Sequence, residues 1–335
     1  MKPLAPALLL FLLFAMNGCT AMPSTSSPED LTRPQTQYDA RIVDPESGSA
    51  LTVEQLAQRL AGTEVVIVGE YHGHHGSHLL QSRLQTALYR QQPSQVLSME
   101  QFNLDHQAEL DQYLKGQIGE AEMIEDAGAW DNYRASYRPL VEFARRHHLP
   151  VIAANAPADI VRCVGRKGPP YLDRVPEPVR QALPANPFMD TPAYREKFAD
   201  AIGASHRGDS TMNERMENTY KAQLLRDNTM ATRILEARAR FPGHQVLHLT
   251  GTFHSEDGLG TVALLKKRAP DLSVAVISPA FWPATDSAPP LEQNRTNGDF
   301  LYFIQPLPDE FKDPEREREA MAARFQRSSS KTCDE

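Results

Sequence analysis

One stretch constrains the fold more than any other: Val65-Val66-Ile67-Val68-Gly69-Glu70-Tyr71-His72. A β-branched run bounded by glycine reads as a strand buried on both faces. It stops at Gly69 and releases a carboxylate, Glu70, and four histidines, His72, His74, His75 and His78, into one loop. These are four of the chain's eleven histidines, so side chains able to bind or titrate concentrate here. A helical pattern resumes at Leu79 and runs through Leu80, Leu84, Leu88 and Tyr89. In an open α/β sheet, ligands bind beyond the carboxyl ends of the strands, which is where this loop falls.

The same alternation recurs along the chain. Ala40-Arg41-Ile42-Val43-Asp44 reads as a strand followed by a turn at 45–49, and Thr52 caps a helix that turns Leu56 and Leu60 inward. After a helix over 79–91, Pro93 breaks the chain and residues 95–100 form a second strand, ending on Glu100. Helical patterns at 104–116, 119–126 and 137–148 lead to a third strand, 151–155, ending on Asn155. Prolines break residues 157–220 into short helical pieces with no strand, an insertion of the kind that covers a site or builds a partner surface. A long helix over 212–241, a strand at 245–250 running into Gly251-Thr252-Phe253-His254, a helix at 259–268 and strands at 273–277 and 300–304 follow. Strands alternating with helices imply an α/β fold: a mostly parallel central sheet flanked by helices, with the helical insertion covering the strand-end site. One internal echo stands out, since Gly69-Glu70-Tyr71-His72 and Gly251-Thr252-Phe253-His254 both place Gly-x-x-His at the end of an apolar strand.

The N-terminus has a different character. Lys2 precedes an apolar run over residues 8–15, too short to span a bilayer, that leads into Gly18-Cys19. This resembles the bacterial lipoprotein signal, in which the cysteine is lipidated and becomes the mature N-terminus; an ordinary signal peptide cleaved nearby is the alternative. The resulting division is a lipoprotein signal peptide over 1–18, a flexible tether over 19–38, an α/β domain over 39–306 containing the insertion, and a charged tail over 307–335. Thr20, following Cys19, is not an acidic retention residue, which favours the outer membrane of a bacterial cell envelope. With Cys19 lipidated, Cys163 and Cys333 remain, and Cys333 sits in a polar tail, so no disulfide framework is expected to hold the fold. A formal charge of −8 and a pI near 5.8 argue against nucleic acid as a partner.

Parallel strands would bring Glu70, His72, Glu100, Asn155 and His254 to one rim of the sheet. Two histidines and two carboxylates there suit a divalent metal such as Zn or Mn, which could activate water for hydrolysis. A polar network that anchors the loops is the plainer alternative. A second feature is Trp130-Asp131-Asn132-Tyr133-Arg134-Ala135-Ser136-Tyr137-Arg138-Pro139-Leu140. Pro139 suits the first turn of a helix and puts Tyr137 at its start. A phenolate there is a ligand class for ferric haem iron, and Arg134 and Arg138 could pair with haem propionates. Ordinary interfacial packing stays open for the same residues. On the long helix, Gln223 and Arg226 share a face with Asp227 beside them, which alone reads as a solvated helix with an ion pair.

Taken in order, these motifs resemble the ChaN-like haem-binding lipoproteins, which belong to a wider superfamily with Tiki proteases, TraB proteins and erythromycin esterases. The resemblance spans residues 40–277. It rests on Ile42-Val43-Asp44, Val68-Gly69-Glu70-Tyr71-His72 with His78 and Gln81, Met99-Glu100, Tyr137-Arg138-Pro139-Leu140, Leu149-Pro150-Val151-Ile152-Ala153-Ala154-Asn155, Arg226-Asp227-Asn228-Thr229-Met230-Ala231 and Gly251-Thr252-Phe253-His254. It implies a lipid-anchored protein that binds haem for haem or iron acquisition or storage, exchanges it with haem-uptake machinery, and pairs as a homodimer. It assigns the iron ligand to Tyr137, with Tyr133 and Tyr220 as fallbacks, and puts His72, His254, Glu70 and Glu100 around the haem. Phe188, Met189, Phe198, Met212 and Met216 of the insertion and long helix are candidate cover. The acidic or Asn residues that often follow the motif histidine are missing from Tyr71-His72-Gly73-His74. A metal-dependent hydrolase of the Tiki type, using Glu70, His72, Glu100 and His254, and a scaffold whose site has decayed are the competing expectations.

Overall fold

The computed structural model describes residues 31–201, 210–329 and 332–333. The expected signal peptide, Cys19 and the first part of the tether lie outside the described residues. β1 (Arg41–Val43) and β2 (Ala50–Leu51) form a hairpin; α1 (Val53–Arg59), β3 (Val65–Glu70), α2 (His75–Gln91) and β4 (Gln95–Asn103) follow. α3 (Gln107–Leu114), α4 (Glu120–Asp126), α5 (Tyr133–Ser136) and α6 (Arg138–Arg146) lead to β5 (Val151–Asn155). The insertion contributes α7 (Ala158–Lys167), α8 (Glu177–Ala182) and α9 (Pro192–Ala201), and α10 (Ser210–Arg240) returns the chain to β6 (Gln245–Gly251). α11 (Thr261–Arg268), β7 (Val274–Phe281), α12 (Leu291–Asn294), β8 (Phe300–Ile304) and α13 (Pro314–Ser329) complete the order.

The strands form one eight-stranded sheet in the order β2-β1-β8-β7-β3-β6-β4-β5. Only the pairings of β1 with β2 and with β8 are antiparallel; the rest are parallel. Its centre is covered on both faces, which is why β3 has no polar alternation. Val66 and Val68 meet Leu56, Leu84 and Leu140 on one side, while Val65 and Ile67 meet Ala231, Ile234 and Val262 on the other. Burying an aliphatic side chain of this size contributes about 1.5–3 kcal/mol, so the two layers anchor the central strands where their ends must be held still. Among the described residues no helix is long and apolar enough to cross a membrane.

Some elements depart from the sequence reading for reasons the structure shows. α2 starts at His75 rather than Leu79, because the His74 imidazole caps it, Nδ1 accepting from Gly76 N–H at 3.1 Å. β4 runs on to Asn103, past a register shift against β5 between Met99 and Asn103. The tail is not merely peripheral: it forms α13, and Cys333 is disulfide-bonded to Cys163 of α7. The expectation that no disulfide helps to hold the fold is thereby corrected. A separation of 170 residues hides such a pair from sequence, since connectivity follows from the fold and not from spacing.

Candidate functional site

Register brings the site together. Glu70 at the end of β3 stands level with Gly251 of β6, and Met99 of β4 is level with Leu249, so Glu70, Glu100 and the Gly251 turn meet at one rim. Glu70 is buried and collects donors from every side. Its Oε1 accepts from Tyr137 O–H at 2.6 Å, His72 Nδ1 at 2.8 Å and Gln101 Nε2 at 3.3 Å, and its Oε2 accepts from Gln81 Nε2 at 2.6 Å. Gln81 is held by His78, whose Nδ1 donates to its amide oxygen at 3.1 Å while Nε2 accepts from Gly73 N–H. Burial opposes the charge on Glu70 most strongly, but the His72 hydrogen bond and the fields of His78 and His72 prevail and hold the carboxyl below its usual range.

A second cluster sits beside it. Glu100 is buried, and its Oε2 accepts from Thr250 Oγ1 and Gly251 N–H, both at 2.7 Å. His254 Nε2 lies 3.5 Å from its other oxygen, and an Arg226 nitrogen 4.0 Å. Burial again opposes ionisation, and His254, His72 and Arg226 bring Glu100 down to about 2. His254 is pinned from behind: its Nδ1 contacts Asp227 Oδ1 at 2.8 Å, and Asp227 also accepts from Thr261 Oγ1 at 2.9 Å and Tyr194 O–H at 2.7 Å. Burial disfavours the imidazolium, yet Asp227 and Glu100 raise the His254 pKa above the ordinary value.

Between the clusters opens a cleft of about 460 Å³ lined by Glu70, Tyr71, His72, Gln223, Gly251, Thr252, Phe253 and His254. Gly251 matters through what it lacks. A Cβ there would lie 2.9 Å from His72 Nε2, so glycine lets the imidazole lie against the β6 backbone. Trp130 packs edge-on to His72 at 4.9 Å, and Tyr71 stacks on Phe281 at 4.3 Å with 14° between the planes. Burial, with Glu256 nearby, pushes the Tyr71 phenol up from its usual value.

Glu70, His72, Glu100 and His254 therefore do converge. Asn155 does not join them, its side-chain oxygen accepting from the adjacent Ala156 N–H. His74 caps α2 and contacts the Gln305 carbonyl, and His75 stacks on Tyr38. Tyr137 is fully buried with its hydroxyl committed to Glu70, and burial followed by the Glu70 charge drives its pKa well up. The Tyr133 hydroxyl is sealed without a partner, and that of Tyr220 donates to Asp190. Arg134 of α5 and Arg138 of α6 both pair with Glu120 of α4. Of the candidate cover, Phe198 packs with Phe253 at the cleft, while Phe188 and Met189 pack inside the helical layer and against the sheet. Met216 lies half-buried on α10, and the Met212 side chain is outside the described residues.

Asp227, which the sequence places on a solvated helix face, is fully buried. Its signal was present, because Leu224, Leu225, Met230 and Ala231 surround it on a face that must be inside. Among the described residues no group of three or more His, Cys, Asp or Glu is arranged to hold a metal ion. Glu70 accepts hydrogen bonds on both oxygens and Glu100 on one, and the Nδ1 atoms of His72 and His254 face carboxylates. The divalent-metal reading finds no ligand set here, and the hydrolase that depended on it loses its support.

Residues 56–265 match a family model described as haem-binding uptake, Tiki superfamily, ChaN. ChaN of Campylobacter jejuni, solved with cofacially bound haem, superposes with a TM-score of 0.60 at 16% identity, covering 82% of this chain and 100% of that one. A Bacillus cereus protein gives 0.47 at 11% identity over 76% and 92% of the two chains, and an erythromycin esterase mutant in its open conformation gives 0.44 at 11% over 85% and 87%. At such identities the likeness to ChaN is one of fold, and the two weaker matches carry no argument. No curated protein matches the chain.

Proposed function

The chain belongs to the ChaN family of haem-binding uptake proteins in the Tiki superfamily, and from that premise we propose that it is a haem carrier whose ligand occupies the cleft at the C-terminal rim of the sheet. Haem is the ligand that family membership supports. The observation that carries the reading is the cleft itself. It is lined by Phe253, Tyr71 and His72, with the edge of Trp130 against His72, and a flat apolar macrocycle needs such walls. Arg226, partly exposed and 4.0 Å from Glu100, offers a cation to an anionic edge. The bound group supplies the iron and the porphyrin; the chain's own residues orient it and keep the floor of the site fixed through the Glu70 and Glu100 networks.

The wider role follows the N-terminal sequence. The protein is anchored by lipid at Cys19, in the outer membrane of a bacterial envelope, serving haem or iron acquisition or storage alongside haem-uptake machinery and working as a homodimer. The Cys163–Cys333 disulfide supports an oxidising compartment of this kind. The test is a haemin titration of the mature chain bearing Cys19→Ser, followed in the Soret region, with size-exclusion chromatography on the end point. A saturable Soret shift with a step in mass is the expected result. A spectrum that only adds up protein and unbound haemin would refute the carrier reading. Fractionation of cells expressing the intact chain tests the anchor, and release of the Cys19→Ser protein from the membrane is expected.

A further inference from the structure

A second concavity lies at the edge of the sheet opposite β5, where β2 ends the strand order. It is a groove of about 760 Å³ enclosed by α2, the β1–β2 hairpin, the start of α1 and the chain at Leu31–Thr32. Three arginines line it. Arg83 and Arg90 are exposed and stand two turns apart on one face of α2. Their guanidiniums make no hydrogen bond or ion pair among the described residues. Arg41 is partly exposed, donates from Nε to the Thr32 carbonyl at 3.0 Å and lies 4.0 Å from Asp39. Glu54 is the one acid in the lining, so positive charge is in surplus here, in a chain whose formal charge is −8. Half-buried Leu51 and Val53 add an apolar strip.

A groove that is cationic and partly apolar suits an anionic amphiphile. Guanidiniums hold phosphate oxygens in a two-pronged geometry, and the apolar strip suits the hydrocarbon next to a charged head group. The course of the chain selects the source. Leu31 packs on the cluster of Val43, Trp282 and Phe303, which holds the chain at the wall of the groove, and Cys19 stands twelve residues earlier. That length reaches at most about 40 Å. Resting on the lipid anchor at Cys19 read above, we propose that this groove docks the protein on its membrane, Arg41, Arg83 and Arg90 pairing with the phosphates of anionic phospholipids. α2 starts beside the strand-end rim at His75, and its rise puts Arg83 and Arg90 about 12 and 22 Å along the helix from there. Seated by the groove, the protein keeps the cleft away from the bilayer and open to water.

The experiment is co-sedimentation of the mature chain bearing Cys19→Ser with vesicles of phosphatidylcholine alone and of phosphatidylcholine mixed equally with phosphatidylglycerol. In that background, Arg83→Gln with Arg90→Gln is compared with Arg83→Lys with Arg90→Lys. A third pair, Lys115→Gln with Arg240→Gln, removes the same charge beside β5, at the other edge of the sheet. Circular dichroism reports folding, and a haemin titration reports the cleft. Binding is expected to the anionic vesicles only and to fall with rising salt. It should weaken about 5-fold for each arginine neutralised, and so about 30-fold in the Arg83 and Arg90 glutamine pair. The lysine pair should recover most of that loss, the Lys115 and Arg240 pair should bind as the parent does, and haemin binding should not change. Equal weakening by the Lys115 and Arg240 pair would reduce the effect to diffuse attraction and overturn the assignment. So would release from the vesicles by inorganic phosphate at constant ionic strength, which would mark a site for a soluble anion, or a parent chain that ignores anionic vesicles. Because the vesicles meet a chain without its lipid, each of these failures removes the groove and leaves the anchor to be judged by fractionation.

Discussion

Acid should destabilise this protein through a buried histidine of β6. His248 lies in β6, fully buried, with Nδ1 2.9 Å from Ser98 Oγ and Nε2 without a partner. Burial lowers its pKa from 6.5 to about 4, against an opposing pull from Glu100. The sign follows from proton counting. Below pH 6.5 the unfolded chain takes up a proton that the folded chain refuses until about pH 4, so stability falls with pH across that window and is level below it. At about 1.4 kcal/mol per tenfold change in proton affinity, the loss reaches about 3 kcal/mol, most of it by pH 4.5. His74, also lowered by burial, acts in the same direction, so a variant is needed to isolate the effect. His254 and His72 are raised, so their contributions are full below 6.5 and are lost as pH climbs. The Glu100 contribution is lost only as pH falls from 4.5 toward about 2. His248→Gln keeps an acceptor for Ser98 and removes the titration. Urea unfolding at pH 7.5, 6.0 and 4.5 should show the unaltered protein losing about 3 kcal/mol more than the variant. Parallel losses in the two proteins would refute the argument, because His248 would then protonate alike in both states.

Three other outcomes follow from the same contacts. Glu70→Gln forces an amide N–H toward Tyr137, His72, Gln81 or Gln101, so a loss of about 3 kcal/mol is expected in denaturant unfolding; an unchanged midpoint would show that the network contributes nothing. Gly251→Ala puts a Cβ 2.9 Å from His72 Nε2, so the imidazole must turn away. A shifted His72 resonance and weaker haemin binding with little change in melting temperature are expected, and an unmoved resonance would count against the close approach. Cys333→Ser opens a loop closed across 170 residues, which the chain-entropy account values at up to about 5 kcal/mol. A fall in melting temperature, matched by adding a reductant to the unaltered protein, is the expected signature, and equal stability with and without reductant would remove the disulfide from the fold's support.

How much of this was legible beforehand depended on whether the signal was local. The α/β alternation, the strands around 65–70, 95–100, 151–155 and 245–250, and the meeting of Glu70, His72, Glu100 and His254 could all be read, because an apolar run ending on a polar residue states where a parallel strand stops. Two features could not be read. The Cys163–Cys333 pairing joins residues 170 apart in sequence, and no spacing rule reaches that far. The partners of the tyrosine hydroxyls could not be read either, since Tyr137 stands in a recognisable motif and only the fold brings its hydroxyl to Glu70. A motif marks where a side chain is placed; whether its donor atom is spent inside the protein or open to a ligand is decided by neighbours from other elements. Here Glu70, brought from β3, takes up the Tyr137 hydroxyl delivered at the start of α6. The same division explains why the two carboxylates make a poor metal site: a rim that looks rich in ligands from sequence is rich in hydrogen-bond partners once folded, and the groups that saturate one another build the floor on which a flat ligand can rest.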